Sequence, residues 1–253
     1  MKLHFDLVLE HRDERRIEGI DMLRYSLKQP AQYFTDPMSL ALLTAAVANN
    51  LEEAYRLVYA GANPNDEGPR LPLDANKLRL LHYSIAANSS PAVRILIKVG
   101  ANPDLIAQHN GSPVDFCILL ENERMLDFLL DLYPISKLSS NTVSNAMFEA
   151  VLHGDRATVE TLLRRGVPVN IKDSAGYTPL MRAISAEKFE VVELLLEHNA
   201  SVHVNPPSGV TPVRQIVRMS NRYKVGSDTW LKIQHIIELM RRKGAVFPSS
   251  GAN

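Results

Sequence analysis

Apolar residues in this chain fall in short clusters at helical spacing, and the clusters themselves recur. Leu180, Ala183 and Ile184 sit at i, i+3 and i+4, one stripe of a helix. Val191, Val192, Leu194, Leu195 and Leu196 mark the buried side of a second helix. Each such pair closes on a Gly-like position, at Gly61, Gly100, Tyr133, Gly166, Asn199 and Gly244. The steps between these positions are 39, 33, 33, 33 and 45 residues. The odd steps exceed 33 by six and twelve, which is how loop insertions into a periodic array look. A period in this range predicts a row of small helix-turn-helix units that bury their apolar faces on one another. It argues against one enclosed core.

The polar punctuation agrees with these pairs. Thr178 is placed to cap a helix start, its hydroxyl accepting from a free backbone N–H. Pro179 fits the first turn, where its missing N–H is no loss. Asn199 tolerates the left-handed conformation that follows a helix, as Gly does. The first unit repeats the scheme with Leu42, Ala45, Leu57 and Gly61-Ala62-Asn63-Pro64-Asn65. The second has Leu81-His82, Val93, Leu96 and Gly100-Ala101-Asn102-Pro103-Asp104. The third has Ser112-Pro113-Val114, Cys117, Leu126 and Leu129, and the fourth Met147, Ala150, Leu162 and Gly166. The sixth opens with Thr211-Pro212-Val213 and ends with Ile236, Ile237, Met240 and Gly244-Ala245.

On these residues the units resemble ankyrin repeats, whose pattern runs Thr-Pro-Leu-His-x-Ala, then Val and Leu-Leu, then Gly-Ala-Asp/Asn-x-Asn. The likeness covers roughly residues 39–246 and is best over Asp173–Ala200. It implies an all-α fold, an ankyrin-repeat solenoid of about six helix-turn-helix units with an N-terminal capping segment. The expected layout is a cap over 1–38, repeats over 39–248 and a tail over 249–253. Three departures stand out: Tyr133 replaces the terminal Gly, the first unit lacks Thr-Pro, and His82 is the one His at the fourth pattern position.

Residues 1–38 lie outside the repeat. Leu3, Phe5, Leu7 and Leu9 alternate with polar residues, as in a strand. Ile17, Ile20, Leu23 and Leu27 predict an amphipathic helix over Asp13–Gln29, either covering the first repeat or meeting a partner. The Asp66–Leu78 insertion lengthens one finger loop. The Asn221–Trp230 insertion separates the last two helices and carries the single Trp, which either packs under its own helix or anchors an interface.

Charge narrows the function. Lys plus Arg and Asp plus Glu both number 28, so the chain lacks the basic excess of a nucleic-acid binder. The basic clusters at Arg164-Arg165 and Arg241-Arg242-Lys243 fall where cations complement helix C-termini. One cysteine excludes an internal disulfide and fits a reducing, cytoplasmic setting. No apolar run approaches a membrane span, and Met1–Glu10 lacks the uninterrupted apolar stretch of a secretion signal.

No phosphate loop, paired-Cys zinc spacing or His-Glu-x-x-His helix occurs. Neither a cofactor nor a metal is expected. His198 and His203 lack a third ligand. Cys117 fills a small-residue packing position, and only a base such as His153 beside it would make it a nucleophile. What remains is a non-enzymatic scaffold that binds another protein, as a monomer or in a heteromeric complex, with no nucleic-acid or membrane partner. An inhibitor or immunity protein, an effector that seizes a host protein, and an accessory domain of an enzyme stay open as alternatives. In ankyrin repeats partners meet the finger tips and the exposed positions of the first helices. The resemblance places these at Arg70, Lys77, His109, Asn110, Ser174, Ala175, Tyr177, Ser208 and Val210 on fingers. On inner helices it places them at Leu119, Leu120, Leu152, His153, Arg218 and Met219. Apolar members of that set, if exposed, would form an interaction strip.

Overall fold

The computed structural model describes residues 27, 29–68, 77–107 and 110–247. The strand expected over Leu3–Leu9, nearly all of the Asp13–Gln29 helix, the tail from 249, and most of the 66–78 insertion lie outside the described residues. Twelve α-helices form six pairs among the described residues. They are α1 (Pro37–Val47) with α2 (Leu51–Tyr59), α3 (Leu80–Ala86) with α4 (Ser90–Lys98), and α5 (Pro113–Leu119) with α6 (Glu123–Leu132). Then come α7 (Ser140–His153) with α8 (Arg156–Arg164), α9 (Pro179–Ser185) with α10 (Phe189–Glu197), and α11 (Pro212–Ser220) with α12 (Asp228–Arg242). No strand forms among the described residues. Two isolated antiparallel bridges, Glu67 with Arg79 and Ala107 with Gly111, close finger loops.

The chain groups into two compact units, residues 1–142 and 143–253. In the first, α1 packs on α2, α3 and α4, α3 on α4 and α5, α4 on α6, and α5 on α6. In the second, α9 packs on α10 and α11, α10 on α8 and α12, and α11 on α12. Within each unit, therefore, the first helices of the repeats form one row and the second helices another. The fully buried Leu42, Leu43, Leu80, Ile85, Leu96, Leu126 and Leu129 lie between the rows of the first unit. Burying each such side chain is worth about 2 kcal/mol.

The recurrent Gly-Ala signature has a direct backbone cause. At the end of α8, Gly166 adopts φ +98°, a region where a side chain is strained. Its N–H donates to Leu163 O, and Val167 N–H reaches back to Leu162 O at 3.0 Å. This is a Schellman closure, in which the residue after the left-handed one buries its side chain against the helix. Ala62, Ala101, Val167, Ala200 and Ala245 fill that buried place in the successive repeats. Asn199 supplies the left-handed step at φ +60°. Tyr133 does not; it is extended at φ −136°, and Pro134 ends α6 instead.

The turn inside four of the repeats uses the same closure. Asn49, Asn88, Glu121 and Glu187 take φ values of 49–58°, and the next residue N–H bonds a carbonyl five back, as Asn122 to Cys117 O at 2.9 Å. Asn50, Ser89, Asn122 and Asp155 then cap the second helix through their side chains. The last polar residue of the loop signature ties neighbouring repeats together. Asn65 accepts from Asn102 N–H at 2.7 Å and donates to Gly100 O at 3.1 Å. Asn170 accepts from Ser201 N–H at 2.8 Å.

Two capping details differ from the sequence pattern. Thr178 stands at the start of α9 in extended conformation, but its hydroxyl makes no cap bond and is buried without a partner. The residue one turn on is Met181, where the pattern would put a polar His. His82 occupies that place in α3, is fully buried, and meets Gly111 O of the next finger at 3.1 Å. At the beginning of the described chain a 3-10 turn, Pro30–Gln32, sets Tyr33 and Phe34 edge-on against Tyr83 of α3, at 5.6 and 6.0 Å between ring centres. Gly68 passes Tyr33 so closely that an added Cβ would lie 1.9 Å from Tyr33 O.

Candidate functional site: fingers and inner helices

The fingers of the second unit are built around one carboxylate. Asp173 accepts from the N–H groups of Ala175 and Tyr177, both at 2.9 Å, which folds the turn and lifts Ser174 and Ala175 into solvent. Arg182 of α9 pairs with the same carboxylate, its Nε at 2.8 Å. Burial pushes the Asp173 carboxyl up, yet the Arg182 bonds and charge and the two N–H groups together hold it below the usual range. The Arg182 guanidinium also lies over the Tyr177 ring, 4.7 Å from its centre. Tyr177 O–H then reaches Ser208 Oγ of the next finger at 2.9 Å. Gly176, at φ +80°, brings its backbone against Pro207, where a Cβ would lie 2.8 Å from Cδ. The two fingers are thus locked to each other.

The inner helices continue this face. Leu152 and His153 are exposed at the end of α7, with Leu152 at 49% exposure. His153 O accepts from Lys188 Nζ at 3.3 Å, at the start of α10. Ser185 at the end of α9 is exposed and accepts from Gln215 Nε2 of α11 at 3.0 Å. Arg218 of α11 is exposed as well. Ser174, Ala175, Ser208, Leu152, His153 and Arg218 are therefore exposed, and Tyr177 and Val210 half-buried, within one unit.

The structure corrects three positions. Asn110 is 2% exposed, and its side-chain amide donates to Lys77 O at 3.0 Å, so it braces the finger instead of reaching out. Leu119 is 4% exposed because every residue of the seven-residue α5 is buried. Met219 is 1% exposed; it shares a stripe with Pro212 and Ile216 at i, i+4 and i+7, and the adjacent Arg218 takes the free side. Leu120 is half-buried at the end of α5, and Lys77 is half-buried with Nζ 3.8 Å from Glu67. Arg70 and His109 lie outside the described residues. Sequence reasoning passed over Arg214 and Arg222. Their signal was the four-residue spacing with Arg218, opposite the Pro212, Ile216 and Met219 stripe.

Cys117 is buried completely, and burial, with the nearby Asp115 charge, pushes its thiol up. A thiol held in that form is not a nucleophile. No group of three or more His, Cys, Asp or Glu among the described residues is arranged to hold a metal ion. No helix of the described residues is long and apolar enough to cross a membrane.

Repeats of about 33 residues, each a pair of helices with a projecting turn, define the ankyrin class of protein-interaction modules. Comparison with known proteins agrees. Residues 132–206 match the family model for ankyrin repeats (3 copies). Ankyrin repeat protein FPV031 of fowlpox virus is 28% identical over 179 residues, 68% of this chain and 51% of that protein. The B-cell lymphoma 3 protein homolog of Mus musculus is 27% identical over 173 residues, 65% of this chain and 38% of that protein. Among solved structures, the ankyrin repeat domain of Bcl-3 is similar with a TM-score of 0.62 at 24% identity, covering 81% of this chain and 86% of that one. The chain spans about half, or less, of the length of these two curated relatives. The fold is that of ankyrin-repeat domains, and residues 132–206 carry the repeats of that family.

Proposed function

We propose that this chain is a non-enzymatic scaffold that grips another protein through the fingers and inner helices of its second unit. The observation that carries this reading is the half-exposed and exposed face that runs over Leu152, His153, Tyr177, Ser185, Ser208 and Arg218. Its scaffold is rigid: the fingers are locked through Tyr177, Ser208 and Pro207, and the helices beneath are packed on buried aliphatic residues. Preorganised loops of mixed aromatic and polar character bind with little ordering cost. The tyrosine ring, stacked on Arg182 and half-buried, is the kind of anchor that dominates interfaces. Among the described residues, the buried Cys117, its thiol pushed up by burial, offers no nucleophile to compete with this reading.

The test is capture of a partner from lysate by the purified chain, followed by single substitutions that leave the fold intact. Leu152→Asp and Tyr177→Ala each alter exposed or half-exposed groups, and a thermal melt checks that the repeats persist. Loss of a stoichiometric protein on either change supports the surface. Retention of that protein by the double variant rejects it.

A further inference from the structure

Charge is distributed unevenly in a chain whose formal net charge is zero. From His198 to Ser227 there is no Asp or Glu, while Arg214, Arg218, Arg222 and Lys224 all fall within that stretch. Arg214 and Arg218 lie four residues apart on α11, and Arg222 follows four residues on, in the turn after it. Pro212, Ile216 and Met219 bury the opposite side of the helix. Position 214 and position 218 each lie two residues from Ile216, about 200° around the helix, so both guanidiniums stand on the free face.

Two of the three guanidiniums have no carboxylate partner among the described residues. Arg214 Nη1 donates to Gly209 O at 3.1 Å, a neutral carbonyl. Among the described residues neither Arg214 nor Arg218 has a carboxylate within 4.0 Å. Arg222 has one carboxylate nearby, Glu187 at 3.9 Å, and that group also accepts from the Tyr223 hydroxyl. Elsewhere in the second unit Arg156 pairs with Glu197 at 3.0 Å, and Arg242 with Glu238 at 3.4 Å, whereas Arg214 and Arg218 are exposed without such a partner.

We propose that α11 is the seat for an acidic, extended segment of a partner protein, with carboxylates at alternate positions. The inference rests on the interaction reading above and names the partner's chemistry. Residues four apart on a helix rise by about 6 Å. Alternate residues of an extended chain are separated by about 6.7 Å, and their side chains point the same way. An extended segment along α11 therefore brings one carboxylate to each of the Arg214 and Arg218 guanidiniums, where Arg binds through two parallel N–H bonds. Arg214 reaches the Ser208–Gly209 finger, and Ser208 carries the Tyr177 hydroxyl, so the segment would continue from the ladder onto an aromatic ring. A nucleic acid fits less well. Two guanidiniums on one helix and a third just past its end are a small footprint beside six to ten phosphate contacts.

The experiment uses the full chain and a fluorescent ten-residue peptide of alternating Glu and Ser. Its controls are the same peptide with Gln for Glu, and a ten-nucleotide oligothymidine. Fluorescence anisotropy should show binding of the Glu peptide that weakens with added salt, and little binding of the Gln peptide. The double variant Arg214→Glu/Arg218→Glu, which touches only exposed side chains, should weaken binding by about tenfold or more. Equal binding of the Gln peptide, no response to charge reversal, no Glu-peptide binding up to millimolar concentration, or tighter oligothymidine binding overturns the proposal. The lysate capture separates the two readings. A partner lost on Tyr177→Ala but kept by the charge-reversed chain leaves the interaction surface standing and rejects the acidic segment.

Discussion

Acid should destabilise this protein through His82, and the size of the effect can be worked from its surroundings. The ring is fully buried in α3, 5.2 Å from the Phe116 ring, with one nitrogen on Gly111 O at 3.1 Å and Nδ1 unpartnered. Burial drives its pKa down from 6.5 to about 3; the Gly111 carbonyl opposes this and the Arg79 charge adds to it. The folded state thus holds a neutral ring that donates from Nε2, while the unfolded chain takes up a proton below pH 6.5. Stability is whole above that pH and falls as pH drops toward 3, at about 1.4 kcal/mol per unit. Between pH 7 and pH 5 the loss is about 2 kcal/mol, a sizeable part of the 5–15 kcal/mol typical of a domain. The assay is urea unfolding followed by circular dichroism at both pH values. His82→Gln is the comparison, because its amide can still donate to Gly111 O but does not titrate. The variant should lose about 2 kcal/mol less than the natural chain over this interval. Equal losses, or an imidazole signal from His82 that titrates near 6.5 in the folded protein, would refute the reasoning.

Gly166→Ala should cost about 1 kcal/mol or more, since nothing crowds a new Cβ but φ +98° strains it; Asn199→Gly, at φ +60°, should be neutral or slightly stabilising. Thermal melts of the two variants decide this. Ser112→Ala breaks a reciprocal cap, in which Ser112 Oγ and N–H both meet Asp115 Oδ2 at 2.8 and 2.9 Å, and should cost about 1–2 kcal/mol. Thr178→Val removes a buried hydroxyl that has no partner, so urea midpoints should show little or no loss. Cys117 should resist a thiol reagent in the native protein and react fully in denaturant; rapid native labelling would contradict its burial.

The repeat was readable because its cause is local. A left-handed residue, a small buried residue after it and a capping side chain are required at fixed offsets, so Gly100-Ala101 and Asn122 can be found without tertiary knowledge. The binding surface was only partly readable, because inner-helix exposure depends on one 100° step. Arg218 and Met219 are neighbours in sequence, yet one faces solvent and the other is buried. Leu119 illustrates the same limit: α5 is buried on all sides, which its own apolar pattern does not distinguish from a half-exposed helix. The resemblance placed Asn110 at a finger tip, but its amide donates to Lys77 O. Thr178 kept the capping position, but its hydroxyl makes no cap bond.

The direct test of the interaction surface is hydrogen exchange on the chain with its captured partner bound. Slowed exchange in residues 174–177 and 208–222, with α8, α10 and α12 unchanged, is the predicted footprint. Protection confined to those outer helices, with the fingers exchanging as in the free chain, would contradict it.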